Sequence, residues 1–225
     1  MKLWHTTDWH IGGEHTDALR VHVAALKAQM GEKDWLLVTG DLTDNGSLDE
    51  YALALELLNP FSGQLLLCPG NHDYGRLGNF YEAKAEKRWK GLVTALTVPS
   101  TAVVAGWRIV TLDSCLKTYS FLDFAQGRVG STQLFKLCSE FRKAKVNGEK
   151  VIVALHHDPL QEVWVERLQD RDELFEECYG EAEFVLCGHS HREYTHRMPR
   201  GIGTTIHAEP AFYDSRLNYY IIPLD

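Results

Sequence analysis

The chain is poor in basic residues, in paired cysteines and in long apolar runs, and each shortage removes a class of function. Lysine and arginine number 23 against 31 aspartates and glutamates, a net charge of -8. The clustered cations that grip a phosphate backbone are lacking, so nucleic acid is not a favoured partner. A bound divalent ion would still add two positive units locally, which uncouples a pocket from the global balance. The five cysteines, Cys68, Cys115, Cys138, Cys178 and Cys187, are scattered and form no C-x-x-C pair. They exclude a thiolate zinc site or dithiol redox motif and read as thiols of a reducing compartment. No apolar segment follows Met1, Lys2, Leu3, Trp4 and His5, which argues against a secretion signal or membrane anchor and makes the cytoplasm the expected location. Repeats, low-complexity tracts and linkers are missing, and the length suits one α/β domain over 1–225.

What is present is a series of strand-length apolar runs, each ending in a polar residue of unusual type. Residues 2–6 lead to Asp8 and His10, 35–39 to Asp41, and 64–68 to Asn71 and His72. Residues 151–155 lead to His156, and 184–187 to His189 and His191. Strands that hand functional groups to one edge of a sheet produce this pattern. Between them, Leu19, Val23, Leu26 and Met30 recur at helical spacing and predict a helix over 15–30. Residues 48–58, rich in Leu and Ala, predict another. A third is expected over 131–145, capped by the Ser131 hydroxyl, with Leu134, Phe135 and Leu137 facing the core. Residues 103–105 and 107–112, joined through Gly106, predict a hairpin, and 194–224 predicts two or three more strands. The acidic stretch 168–172 reads as the N-capped start of a surface helix.

Five motifs occur in order: Asp8-Trp9-His10, Gly40-Asp41-Leu42-Thr43-Asp44, Gly70-Asn71-His72-Asp73, His156-His157, and Gly188-His189-Ser190-His191. Any one alone is weak, because aspartates and asparagines close turns and isolated histidines are commonly structural. Five in sequence, each after a strand, make coincidence a poor explanation. Imidazoles, carboxylates and an amide oxygen suit Mn, Fe, Zn, Co or Ni rather than Ca, and the lack of thiolate argues against structural zinc.

This order resembles the calcineurin-like metallophosphoesterase family at every motif, over nearly the whole chain. The resemblance implies a four-layer αββα sandwich of two mixed sheets flanked by helices, with two divalent metal ions at the strand ends. By motif position one ion takes Asp8, His10, Asp41 and His191, and the other takes Asp41, Asn71, His156 and His189. A carboxylate shared by both, here Asp41, holds two ions close enough to activate one water between them. His72 is the expected general acid, with Asp44 orienting it. Asn71, His72, His157 and Arg192 are candidates to touch the substrate phosphate, surface or packing roles being as plausible for His157 and Arg192.

Residues 112–159 resemble the branch of class III cyclic-nucleotide phosphodiesterases and glycerophosphodiesterases, which implies hydrolysis of a small-molecule phosphodiester. That branch usually has proline where this chain has Asp158, a change expected to make the pocket mouth more acidic. Hydrolysis of phosphomonoesters is the nearest alternative. The opening Thr7-Asp8-Trp9-His10-Ile11-Gly12 resembles the SbcD-type nucleases, but a basic stripe and room for a DNA-binding capping domain are missing. A binding module without turnover would be expected to lack ligands, and all are present. Nothing in the sequence sets the oligomeric state.

Overall fold

In the first strand, β1 (Lys2–Thr6), Leu3 and Trp4 are both buried although neighbours along a strand point to opposite faces. Burial on both faces forces layers above and below the sheet. The computed structural model describes residues 1–76, 80–119, 125–198, 204–208 and 218–224. Within these, β1 pairs in parallel with β2 (Trp35–Thr39), and β2 pairs in parallel with β3 (Leu65–Cys68). Strand β12 (Tyr220–Pro223) closes the other side of β1 antiparallel, giving the order β12-β1-β2-β3.

The second sheet has six strands in the order β10-β11-β9-β8-β7-β6. They are β6 (Thr101–Val104), β7 (Trp107–Thr111), β8 (Lys150–Ala154), β9 (Phe184–Cys187), β10 (Tyr194–Arg197) and β11 (Thr205–Ala208). The four inner strands run parallel, and β6 and β10 are antiparallel edges. Leu3, Leu37, Leu66, Trp107, Ile109, Ile152 and Leu186 form the apolar layer between the sheets. The opposite parity of the first sheet, Trp4, Leu36, Val38, Leu65 and Leu67, packs on α1 (Thr16–Gln29), α2 (Leu48–Leu58) and α3 (Ala83–Ala95). The outer parity of the second, with Val151, Val153 and Val185, packs on α4 (Ser131–Asn147) and α5 (Arg171–Cys178). The result is the αββα sandwich with two mixed sheets.

The strands over 2–6, 35–39 and 184–187 and the helix over 48–58 coincide with the apolar patterns that predict them. Residues 194–198, 204–208 and 218–224 supply three strands, of which β10 and β11 extend the second sheet and β12 the first. Three local expectations are corrected. Helix α4 is preceded by Gly130 at φ 81°, ψ 150°, with no side-chain cap from Ser131, which lies inside the first turn. Phe135 is 70 % exposed and does not face the core, whereas Leu137 does as expected, with Phe141 and Ala144 completing the buried stripe. Asp170 precedes α5 but does not cap it, because its carboxylate accepts the amides of Val129 (3.0 Å) and Gly130 (2.7 Å) and so ties the two helix starts together. Helix α3 and the small hairpin β4 (Gly75–Arg76) with β5 (Phe80–Tyr81) had no clear pattern to predict them. In α3 only Ala85, Glu86, Trp89 and Leu92 are buried among many charged residues.

Candidate metal centre

All five motifs follow the C-terminal ends of parallel strands, β1, β2 and β3 from one sheet and β8 and β9 from the other. With Thr6 opposite Val38, the connection after β1 lies directly along that after β2. Backbone bonds lace the two: Asp8 N–H to Gly40 (3.0 Å), His10 N–H to Asp41 (2.9 Å) and Ile11 N–H to Leu42 (2.9 Å). Buried Asp73 binds the third connection to them, accepting from the amides of Leu42 (3.2 Å), Thr43 (2.9 Å) and Gly70 (2.9 Å) and from the Thr43 hydroxyl (2.9 Å). Four donors on one carboxylate make it a structural strut, each bond to a charged group being worth about 1.5–3 kcal/mol. In the second sheet Gly188 N–H donates to the His156 carbonyl (3.0 Å). The sheets meet where His189 N–H donates to Asp8 Oδ2 (3.1 Å), an oxygen that also receives the Thr7 hydroxyl (2.6 Å).

Asp8 (φ 53°), His10 (46°), Asp41 (46°), His189 (68°) and His191 (51°) all adopt left-handed backbone. Asp and His tolerate that region better than most residues, yet five such sites in one place store strain that the surrounding hydrogen bonds must hold. Two glycines permit the close approach. A Cβ on Gly70 would lie 2.2 Å from both the Asp41 amide and its Oδ1, and one on Gly188 would lie 2.0 Å from Thr7 Oγ1.

Three groups of side chains converge; His10, Asp44 and His72 form one, and the other two hold the predicted ligands. In one of these two, Asp8, His10 and His191 present ligand atoms within 4.8 Å of one another, His191 Nε2 lying 3.1 Å and His10 Nε2 3.9 Å from Asp8 Oδ1. In the other, Asp41, His156 and His189 do so, with His156 Nε2 at 3.3 Å from Asp41 Oδ2 and 3.2 Å from His189 Nδ1. Asn71 Oδ1 joins the second group at 3.1 Å from His156 Nε2. Asp41 Oδ2 also lies 4.0 Å from His10 Nε2, so this carboxylate stands between the groups. Every one of the seven sequence-predicted ligands is therefore in one of the two groups.

The donor chemistry fits divalent cations. His156 Nδ1 donates to the Thr39 carbonyl (2.8 Å), which directs the lone pair of the neutral ring, on Nε2, at the oxygens of Asp41 and Asn71. Acceptors facing acceptors need a cation or a proton between them. Burial, the largest influence, works against ionisation of Asp8 and Asp41. The His191 bond and the His156 charge nevertheless hold Asp8 down to about 2, and His156 and His72 keep Asp41 well below the usual range. Burial likewise opposes charge on His156, but Asp41 and Asp8 push it up to about 9. Burial and the His156 charge hold His189 at about 3, a neutral imidazole suited to coordination.

His72 anchors through its amide to Asp41 Oδ1 (2.9 Å), and its Nδ1 donates to the backbone carbonyl of Asp44 (2.8 Å). The Asp44 carboxylate sits nearer His10 Nδ1 (3.3 Å) than His72 Nδ1 (3.8 Å). The orienting contact on His72 is thus the Asp44 main chain, and the side chain serves His10. Two further expectations change. His157 is fully buried, its Nδ1 at 2.8 Å from Ser114 Oγ and its ring centroid 4.5 Å from that of His189, so it backs the site instead of meeting substrate. Asp158 is 2 % exposed and accepts from Tyr194 Oη and the Leu160 amide (2.8 Å), so it does not acidify the pocket mouth. Arg192 is exposed beside His191. Tyr194 carried no signal in the sequence, and Asp73, readable there only as a turn former, is the strut.

The sequence model of the calcineurin-like phosphoesterases matches residues 1–193. The chain is 29 % identical to a 3',5'-cyclic-nucleotide phosphodiesterase of Nostoc sp., over 80 % of this chain and 64 % of that protein. It is 29 % identical to a probable glycerophosphodiester phosphodiesterase of Arcobacter nitrofigilis, over 78 % and 62 %. It thus spans less than two thirds of the length of either relative. A dimetal phosphatase from Danio rerio shares the fold at a TM-score of 0.69 and 13 % identity, covering 93 % of this chain and 87 % of that one. A purple acid phosphatase from yellow lupin seeds shares it at 0.65 and 14 %, covering 98 % and 45 %. With the family pattern running from β1 through the last motif histidine, the chain belongs to the calcineurin-like phosphoesterases.

Proposed function

We propose that the chain is a metal-dependent phosphodiesterase acting on a small molecule such as a cyclic nucleotide or a glycerophosphodiester. The observation that carries the reading is the two adjoining His/Asp groups, Asp8, His10 and His191 in one and Asp41, His156 and His189 in the other, with Asp41 also 4.0 Å from His10. One divalent ion would be held by Asp8, His10, Asp41 and His191, the other by Asp41, Asn71, His156 and His189, with Mn, Fe, Zn, Co and Ni all suited to the donors. Such ions neutralise phosphate oxygens and lower the pKa of an attacking water. The relatives named as cyclic-nucleotide and glycerophosphodiester phosphodiesterases favour a diester. The layer shared by both sheets favours one domain over 1–225, and five cysteines without a disulfide favour the cytoplasm. Among the described residues no helix is long and apolar enough to cross a membrane.

Within this reading His72 is the general acid. Its Nδ1 proton is committed to the Asp44 carbonyl, so Nε2 is the nitrogen that can give a proton to the departing alkoxide. Its amide contact with Asp41 fixes the ring at the edge of the proposed ligand set. Asp44 keeps His10 in register through Nδ1, the kind of support that ligating histidines generally need.

The test is hydrolysis of bis-p-nitrophenyl phosphate beside p-nitrophenyl phosphate by metal-stripped protein reconstituted with manganese. The expected result is metal-dependent turnover with preference for the diester. Preference for the monoester would make the protein a phosphatase, and no metal-dependent turnover of either would overturn the enzymatic reading. In His72→Ala, turnover of alkyl esters should fall by about a hundredfold or more, that of nitrophenyl esters much less, and metal content should stay.

A further inference from the structure

A cleft of about 310 Å³ opens on the His72 side of the site, with Trp9, His10, Glu14, His15, Asp44 and His72 among its walls. Since His72 lines it, the cleft is placed to receive an alcohol that His72 protonates. The volume is at the small end for ligand pockets. Its carboxylates are Glu14 and Asp44, neither Lys nor Arg is among the described lining residues, and His10, one of its walls, would be a neutral ligand with an ion bound. Glu14 is placed by a tight turn, not by a wandering loop. Gly13 N–H donates to the His10 carbonyl (3.0 Å), and Thr16 Oγ1 accepts from Gly12 N–H (2.9 Å) and donates to the Gly13 carbonyl (2.8 Å). Gly12, at φ 103°, has no room for a Cβ, which would lie 2.4 Å from the Glu50 carboxylate.

Resting on the phosphodiesterase reading, we infer that Glu14, with Asp44, makes this cleft a leaving-group subsite selective for small uncharged or cationic alcohols, such as polyols, sugar hydroxyls or amino alcohols. Leaving groups that carry a further phosphate or carboxylate are rejected, because a second anion would meet Glu14 and Asp44 with no Lys or Arg among the described lining residues to offset them. Asp44 is shared with His10, and Glu14 is free of the proposed ligand set, so Glu14 is the residue to vary. The same charge bars a polynucleotide, whose departing strand brings its next phosphate into the cleft.

Three methyl aryl phosphodiesters test this on the manganese-reconstituted protein. They share the methyl arm and release a nitrophenol that is unsubstituted, carries a carboxylate or carries a trimethylammonium group. Comparing each ester between proteins cancels differences in leaving-group reactivity. Glu14→Gln should lower the ammonium-to-carboxylate ratio of kcat/KM about fivefold, and Glu14→Lys should lower it further, both effects shrinking as salt is added. Glu32→Lys, at the opposite ends of the strands, makes the same charge change and should keep the wild-type ratio. An unchanged ratio in both Glu14 variants, with the unsubstituted ester still turned over, overturns the inference. Failure of the wild-type protein to hydrolyse any of the three overturns the phosphodiesterase reading instead.

Discussion

The first sheet delivers Asp8, His10, Asp41, Asp44, Asn71 and His72 to the site, whereas the second delivers only the imidazoles His156, His189 and His191. The two contributions are also held differently. After β1, β2 and β3 the connections are laced by main-chain bonds and by the four-donor strut Asp73. After β8 and β9 no such four-donor carboxylate appears among the described residues, and the contacts are spread singly: Gly188 N–H on His156 and Leu155 N–H on Leu186, His156 Nδ1 on the Thr39 carbonyl, His157 on Ser114, the Asp158–Tyr194 pair, and the docking of His189 N–H on Asp8. The first half is a rigid template that carries the negative charge, and the second is a set of imidazoles registered against it. In the proposed centre, metal charge is therefore balanced from one side and ligand geometry completed from the other.

The sharpest way to break this picture is Asp41→Asn, because Asp41 lies 4.0 Å from His10 of one group and 3.3 Å from His156 of the other. Loss of its charge should remove both ions and lower kcat/KM by about a thousandfold. Metal content by elemental analysis beside the diester assay reads both losses. A variant that keeps two ions and most of its activity would sink the shared-ligand assignment. Next comes Asp73→Ala, which orphans three amides and a hydroxyl in the interior and should destabilise the metal-free protein by about 3 kcal/mol in urea unfolding. A cost below about 1 kcal/mol would mean the template does not depend on its strut.

Both predictions bear on what the residue order could reveal. The strands were legible because two-sided burial leaves runs such as Leu36-Leu37-Val38, and the proposed ligands because each run ends in an Asp, Asn or His at a motif position. What escaped depends on contacts between elements distant in sequence. His157 lies next to His156, yet a strand end alternates its faces, which turned His157 inward onto Ser114. Asp158 looked like charge at a pocket mouth, and Tyr194, 36 residues on, together with the Leu160 amide makes it a buried acceptor. Helix α3 buries a narrow stripe under Trp89 and Leu92 within a lysine-rich surface, too faint a period to read in advance. Glu14 had no motif at all, and its place at the cleft came from the turn at Gly12 and Gly13.

Proton competition sharpens the comparison, since each half supplies one imidazole of raised pKa. Burial, the strongest influence on both rings, disfavours their charge, yet Asp44 and Asp41 push His10 up to about 9, and Asp41 and Asp8 do the same for His156. The metal-free protein therefore holds both protons at pH 7. The stability these pairs add is complete below the ordinary imidazole value of 6.5 and is lost as pH rises to about 9. A metal must displace the protons, so its affinity should climb by about tenfold per pH unit for each proton released and level off above pH 9. Chelator competition from pH 6 to 10 measures the slope. In Asp44→Asn one of the two protons should drop out below that pH range, leaving the slope of the second sheet's ligand. A slope unchanged in that variant would mean that His10 does not owe its proton to Asp44.

The smallest effect is expected from Tyr194→Phe, which removes one hydroxyl from the second sheet's side. Asp158 keeps the Leu160 amide at 2.8 Å, so the buried carboxylate loses one donor but is not orphaned. Unfolding should register about 1 kcal/mol. Affinity for the ion assigned to Asp41, Asn71, His156 and His189 should fall only a few-fold, because His189 is still docked on Asp8 through its amide. The ion assigned to Asp8, His10, Asp41 and His191 serves as the internal reference. If Tyr194→Phe instead cost as much stability as Asp73→Ala and weakened both ions equally, the two sheets would share one cooperative framework, and the contrast between template and docked donors would fail.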